Sequence, residues 1–283
     1  MHLVGRGVHR RLFSHVKENG VAESDLNLPV IEMVNTAVAS LSRPEVVLIA
    51  GINWKVSTGD CWVVGGLPGS GKSELLSTAA GLMRPHNGTY RLFGREIWEL
   101  PEEEQIQTRL RAGLVFANEG RLFSQLTVVE NLALPICYHR NCRLGSAQDR
   151  VRAILEFTGL APLAHSTPGT ISRNMRLRAG LARALALDPE LLLLDNPLRS
   201  TDSREMRWWL DFLGELRAGH EVMNGRKITL IIAADDFRPW IEHGEKFALL
   251  KNEQWLFLGR RSDLRTHEEP LLHELLSGRF IGD

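Results

Sequence analysis

The sequence predicts an α/β fold built on a parallel sheet, from three observations. Leu191–Leu194 is a four-leucine run closed by Asp195, the pattern of a strand buried on both faces. Ile228–Ala233 is a second apolar, β-branched run, ending just before Asp235-Asp236. Between them, Met206, Trp209, Leu210, Leu213 and Leu216 recur at helical spacing. Buried strands alternating with helices pair in parallel, because the helix supplies the crossover.

The remaining elements follow in chain order. Val46–Ile49 and Cys61–Val64 read as strands, with a turn at Gly59-Asp60. A helix is expected from about Gly71 to Met83, and a strand over Thr89–Phe93 between Gly88 and Gly94. Residues from about 101 to 178 differ in texture: a helical patch at Gln148–Thr158, loops at Asn118–Gly120 and Pro162–Gly169. They read as a largely helical insertion. Trp208 and Trp209 are adjacent on the expected helix, so at least one packs in the core rather than on a stacking surface.

Composition narrows the function classes. The chain has 283 residues, 43% of them hydrophobic, with 34 basic against 34 acidic side chains. That is enough for one large or two small domains. It gives no net electrostatic drive toward nucleic acid, and no nucleic-acid partner is expected. Three cysteines, Cys61, Cys137 and Cys142, fit a reducing compartment. Cys137, His139 and Cys142 are too few for a four-ligand zinc site. No run reaches the ~20 apolar residues of a membrane span; Leu181–Leu194 is broken by Arg183, Asp188, Pro189 and Glu190. The basic start, with Arg6, Arg10, Arg11 and Lys17, lacks the apolar centre of a signal peptide and reads as a frayed extension or an over-long start, with a membrane-surface arm as the alternative.

The sharpest motif is Gly66-Leu67-Pro68-Gly69-Ser70-Gly71-Lys72-Ser73, which matches G-x-x-x-x-G-K-[ST]. It follows an apolar strand and precedes a helix, as its chemistry requires. Its glycines let backbone N–H groups turn toward phosphate oxygens, and the helix adds its positive N-terminal end. Lys72 can reach the β- and γ-phosphates, and the Ser73 hydroxyl can ligate Mg²⁺. Asp195, at the carboxyl end of the leucine strand, is the acid expected to hold Mg²⁺ through water.

With these segments in place the chain resembles the ATP-binding subunit of an ABC transporter over about residues 46–260. Gly65–Leu76, Gly81-Leu82-Met83-Arg84-Pro85 with Gly88, Leu126-Thr127-Val128-Val129-Glu130-Asn131, Arg178–Ala186 and Asp188-Pro189-Glu190 carry the resemblance in order. Leu132–Pro135 and Pro270–Gly278 resemble bacterial lipid-import ATPases more loosely. The resemblance implies a phosphate-loop ATPase fold of ABC type: a parallel-sheet core, an antiparallel β part and a helical subdomain at about 101–178. It divides the chain into an N-terminal extension (1–27), an ATP-binding domain (28–262) and a helical tail (263–283). It implies ATP and Mg²⁺ as ligands, and Asp202 as the D-loop aspartate. The implied partners are a second such subunit, in a homo- or heterodimer, and integral membrane permease subunits. The implied location is cytoplasmic, peripheral on the inner face of the membrane.

Departures from the family pattern are equally informative. The signature Leu-Ser-Gly-Gly-Gln aligns with Ile171-Ser172-Arg173-Asn174-Met175, so Ser172 remains while Arg173 and Asn174 replace both glycines. Bulk then stands where the family's backbone approaches the partner's ATP; Arg173 can instead offer a charge-assisted phosphate contact. Asn196 stands where the family has its catalytic Glu, and Asp235 where it has the switch His. Ala117, or Asn118 if the loop carries an extra residue, replaces a Gln. No good adenine-stacking aromatic lies upstream, Trp54 being a poor candidate, and Glu74 replaces a Thr after Ser73. The expectation is that ATP binding is retained and hydrolysis impaired, even beside an intact partner. Two alternatives stand. One is an active ATPase in which Asp235, Asp236 or Glu119 substitutes for the missing groups; the other is an ATP-binding scaffold or regulator that drives no transport.

Overall fold

A computed structural model describes residues 28–117, 119–199 and 201–277. The N-terminal extension, Asn118 and the last six residues of the expected tail lie outside the described residues. Among the described residues nine strands and seven α-helices follow in the order β1 (Ile31–Ala39), β2 (Val47–Val56), β3 (Cys61–Gly66), α1 (Lys72–Ala79), β4 (Asn87–Leu92), α2 (Glu102–Arg109), β5 (Ala112–Val115), α3 (Val128–Arg140), α4 (Leu144–Phe157), α5 (Arg173–Leu185), β6 (Leu191–Asp195), α6 (Ser203–Ala218), β7 (Thr229–Ala234), β8 (Lys246–Lys251), β9 (Gln254–Arg260) and α7 (Pro270–Ser277).

The strands form one sheet in the order β4-β1-β2-β9-β8-β3-β7-β6-β5. Pairings β8·β3, β3·β7, β7·β6 and β6·β5 are parallel, while β4·β1, β1·β2 and β8·β9 are antiparallel. The expected parallel core and antiparallel part are therefore both present. Strand alternation sorts the core into two faces. Leu192, Leu194, Leu230 and Ile232 face α5, α6 and α7, meeting Leu181, Trp209, Phe212 and Leu272. Leu191, Leu193 and Ile231 face the other way, onto Leu75, Leu76 and the antiparallel strands. Trp209 is fully buried, as the adjacent tryptophans suggest.

A third core is separate. Val128, Leu132 and Ile136 of α3 pack with Val151, Ile154 and Leu155 of α4 and Ala179 and Ala182 of α5. Within the 101–178 stretch, β5 belongs to the central sheet through β6. The helical unit leaves the sheet after it.

Several elements differ from the sequence reading. The strand expected at Val46–Ile49 runs on to Val56. The helix expected to reach Met83 ends at Ala79, with Gly81 left-handed two residues beyond. Strands β1, β5, β8 and β9 and helices α2, α3 and α5 are additional. Helix α3 contains Pro135 yet starts on a full capping box, Thr127 with Glu130.

Candidate functional site

Parallel pairing sets the site. In register, Gly65 stands beside Ala234 and Asp195 beside Ala233. The carboxyl ends of β3, β6 and β7 thus open at one edge, where ligands bind in open α/β sheets. The phosphate loop emerges there from β3. Leu67, Pro68 and Gly69 are exposed on its rim, and Ser70 N–H donates to Leu67 O at 3.1 Å to close the turn. Gly71 carries φ 91° and lies against β2: a Cβ there would meet the Ile49 and Leu48 side chains at 3.1–3.3 Å. Both the left-handed backbone and the close approach call for glycine. No side chain caps the start of α1, which leaves its first-turn amides for an anion.

Lys72 is the first residue of α1 and 7% exposed. Its ammonium donates to Gly66 O at 2.7 Å and Leu67 O at 2.8 Å, folding back over the loop it follows. Ser73 Oγ donates to Asp195 Oδ2 at 2.7 Å. Burial raises the Asp195 carboxyl above its ordinary range, opposed by the Ser73 hydrogen bond, the Lys72 charge and the Ala117 backbone amide. A half-compensated buried carboxylate beside a hydroxyl suits a divalent cation: the donors are hard oxygens, and a cation would offset the desolvation. The residues therefore fit Mg²⁺ and a phosphate chain.

The positions of the missing Glu and His meet each other. Asn196 has φ 50° and its N–H donates to Ala233 O at 3.0 Å, turning the chain sharply off β6. Asparagine tolerates this left-handed conformation better than most residues. Its side-chain amide donates to Asp235 Oδ2. Asp235 Oδ1 lies 3.0 Å from Lys72 Nζ. Asp236 instead pairs with Arg238 at 2.7 Å. The following Phe237 is fully buried, and its N–H donates to Leu275 O of α7 at 3.1 Å, so the last helix holds the segment that carries Asp235.

The other sequence candidates lie elsewhere. Ser172 caps α5, its hydroxyl accepting from Met175 N–H at 3.3 Å. Arg173 donates to Arg199 O at 3.0 Å, on the loop after β6, and Asn174 is half-buried on the first turn of α5. None of these hydrogen bonds joins the phosphate loop. Asp202 caps α6, accepting from Glu205 N–H at 2.8 Å. Trp54 is buried among Trp62 and Trp255 and is closed to any ligand. Glu74 is half-buried on the first turn of α1.

Sequence reasoning missed a cleft of about 570 Å³ between β5 and the helical unit. Leu114, Phe116, Phe123, Leu134 and Tyr138 line it, with Phe123 55% and Tyr138 78% exposed. Its floor is held where α5 meets the turn at Glu119–Arg121. Gly180 and Gly120 touch backbone to backbone, and Arg183 donates to Gly120 O at 2.7 Å. The signal in the sequence was the capping box, which marks α3 and hence one wall of this cleft.

Comparison with known proteins gives a consistent picture. The family model described as ABC transporter matches residues 49–199. The chain is 30% identical to the probable ribonucleotide transport ATP-binding protein mkl of Mycobacterium leprae, over 80% of this chain and 63% of that protein. It therefore spans about three fifths of the length of the mycobacterial relatives. It is 27% identical to the intermembrane phospholipid transport system ATP-binding protein MlaF of Haemophilus influenzae, over 91% of this chain and 94% of that one. Among solved structures, the dimeric bacterial ABC transporter cassette MJ0796 superposes with a TM-score of 0.69 at 25% identity, covering 79% of this chain and 95% of the other. The cbiO1 protein of Clostridium perfringens shares the fold, with a TM-score of 0.70 at 20% identity over 85% and 92%.

Proposed function

The chain belongs to the ABC transporter family, and from that membership we propose that it is the ATP-binding subunit of a membrane transport complex, with nucleotide binding retained and hydrolysis impaired. One contrast carries the reading. Lys72, Ser73 and Asp195 keep the arrangement a phosphate loop needs, whereas Asn196 and Asp235 are engaged with each other.

Binding falls to this chain's own groups. The amides of Gly69 and Gly71, with Gly66, Pro68 and Ser70 shaping the loop, would cradle the phosphates at the start of α1. Lys72 would face the β- and γ-oxygens, and Ser73 with Asp195 would hold Mg²⁺, which when bound neutralises charge on those oxygens. Hydrolysis needs a base to take a proton from water. The Asn196 amide has no such basicity at neutral pH. Asp235 is a carboxylate, but one oxygen is on Lys72 and the other on Asn196.

Partners follow the same reading. Ser172, Arg173 and Asn174 would face the nucleotide of a second ABC subunit, with Asp202 near the shared interface. The cleft lined by Phe123, Leu134 and Tyr138 offers an apolar seat for a segment of a permease subunit. Among the described residues no helix is long and apolar enough to cross a membrane; the peripheral place on the cytoplasmic face rests on the family membership. Phospholipid transport, named for MlaF, is supported by the match over most of both chains.

Binding of Mg-ATP to the purified chain, with phosphate release followed in the same sample, tests this. Binding without turnover, lost in Lys72→Ala, is the expected result. Turnover abolished by Lys72→Ala would mean that a substitute catalytic group works. No binding would leave the fold without the function.

A further inference from the structure

We propose that the Asp235 carboxylate occupies the γ-phosphate's place on Lys72, making this a site that prefers nucleoside diphosphate to nucleoside triphosphate. The inference rests on the nucleotide-binding reading above and names the ligand class of that site.

Donor counting comes first. A lysine ammonium has three N–H donors. Lys72 Nζ donates to Gly66 O at 2.7 Å, Leu67 O at 2.8 Å and, at a longer 3.4 Å, Ser70 Oγ, and Asp235 Oδ1 stands 3.0 Å away as its ion-pair partner, so the ammonium is already surrounded by acceptors. The two carbonyls and the Ser70 hydroxyl belong to the loop itself, so the Asp235 carboxylate is the partner that comes from outside the loop. It is an anion resting on the one loop cation that otherwise receives the outer phosphate.

The carboxylate is also held in place. Asn196 donates to its second oxygen. The next buried side chain, Phe237, is fixed by its own burial and by its backbone bond to Leu275. Asp235 itself is about one-fifth exposed, at 21%. A γ-phosphate would have to share Lys72 with this carboxylate or drive it off two partners at once. A diphosphate lessens the conflict. Its β-phosphate is held by the loop amides and the start of α1 as well as by Lys72, and it brings no γ-oxygens to compete with Asp235 for the ammonium.

The pairing also accounts for two departures together. With a carboxylate at 235, a Glu at 196 would set like charges against each other, whereas an Asn donates a hydrogen bond. Asn196 and Asp235 therefore act as one device, with Asn196 positioning Asp235.

Calorimetric titration of the full-length chain with Mg-ADP and Mg-ATP tests the proposal, using wild type, Asp235→Asn and Asp235→His. Wild type is expected to bind ADP at least tenfold tighter than ATP. Both variants should narrow that ratio at least tenfold, chiefly through tighter ATP. Asn196→Ala should narrow it partly, by freeing the carboxylate to move. An ADP/ATP ratio unchanged across wild type and both Asp235 variants, with both nucleotides bound, would overturn the proposal and leave the nucleotide-binding reading standing. Failure of wild type to bind either nucleotide would overturn both. Melting curves of each variant identify any that fails to fold, and the remaining Asp235 variant then decides.

Discussion

The Asn196 side-chain amide donates to the Asp235 carboxylate whose other oxygen lies 3.0 Å from Lys72 Nζ. Two positions 39 residues apart, each departing from the family pattern, are thus one hydrogen-bonded unit on the phosphate-loop lysine. Neighbours sharing a network are expected to behave non-additively on mutation.

That coupling sets the first prediction. Asn196→Glu alone places a second carboxylate against Asp235 and should leave phosphate release at the wild-type level. Asp235→His alone supplies no base and should also do little. The double variant Asn196→Glu/Asp235→His, assayed with an intact partner subunit, should raise turnover by at least ~10²-fold, the usual scale of general-base catalysis. Full recovery by Asn196→Glu alone would break the coupling.

Arg178 and Glu205 form a forked pair at 2.7 Å and 2.5 Å, with the guanidinium 3.7 Å from the centre of the Trp208 ring. Their side chains are 13% and 6% exposed, so the pair links α5 to α6 in a dry setting. Glu205→Ala should cost about 3 kcal/mol in urea unfolding, because it strands a buried charge. Replacing both by apolar residues of similar size, Arg178→Met/Glu205→Leu, should cost much less. Equal losses would mean that packing, rather than the unpaired charge, dominates.

Glu190 meets Arg111 through two hydrogen bonds, 2.6 Å and 2.9 Å, joining the starts of β5 and β6. The Arg111 hydrogen bond lowers the Glu190 carboxyl below its ordinary value of 4.5. A carboxyl depressed in the folded state contributes stability above its unfolded value, and that stability is lost as pH falls through the folded one. The pair is more than one-third exposed, so solvent screening limits it to ~1 kcal/mol or less. Glu190→Gln should therefore melt slightly earlier than wild type at pH 7, with the gap closing as pH falls below 4.5. A gap that persists in acid would assign the effect to packing.

Gly180 lies inside α5, where alanine would ordinarily gain about 1 kcal/mol of helix propensity. A Cβ there would sit 2.5 Å from the Gly120 Cα. Overpacking against backbone costs ~1–3 kcal/mol, so Gly180→Ala should be net destabilising in chemical denaturation. A stabilised variant would show that the turn at Glu119–Arg121 yields freely.

Tyr138 is 78% exposed on the wall of the apolar cleft. Tyr138→Asp should leave the melting temperature within ~2 °C, as a solvent-facing change does, yet abolish copurification with co-expressed permease subunits. Retained copurification would move the docking surface elsewhere.

The sequence alone determined the parallel core and the phosphate loop. Leu191–Asp195 and the Gly66–Ser73 motif are local patterns whose meaning survives without knowing their neighbours. The antiparallel strands were less legible. Strand β1 contains left-handed Asn35 and repeated register shifts, which break the two-residue alternation that would announce it. Helix α3 is hidden by Pro135 in its interior, a residue that ordinarily argues against a helix. The substitutions at 196 and 235 were visible as departures, but their meeting on Lys72 was not. That contact exists because β6 and β7 lie side by side in parallel, with Asp195 beside Ala233, and sheet order is a property of the folded chain rather than of any local segment. Likewise the cleft beside β5 arises where two separately packed cores meet, and only the tertiary structure brings its walls together.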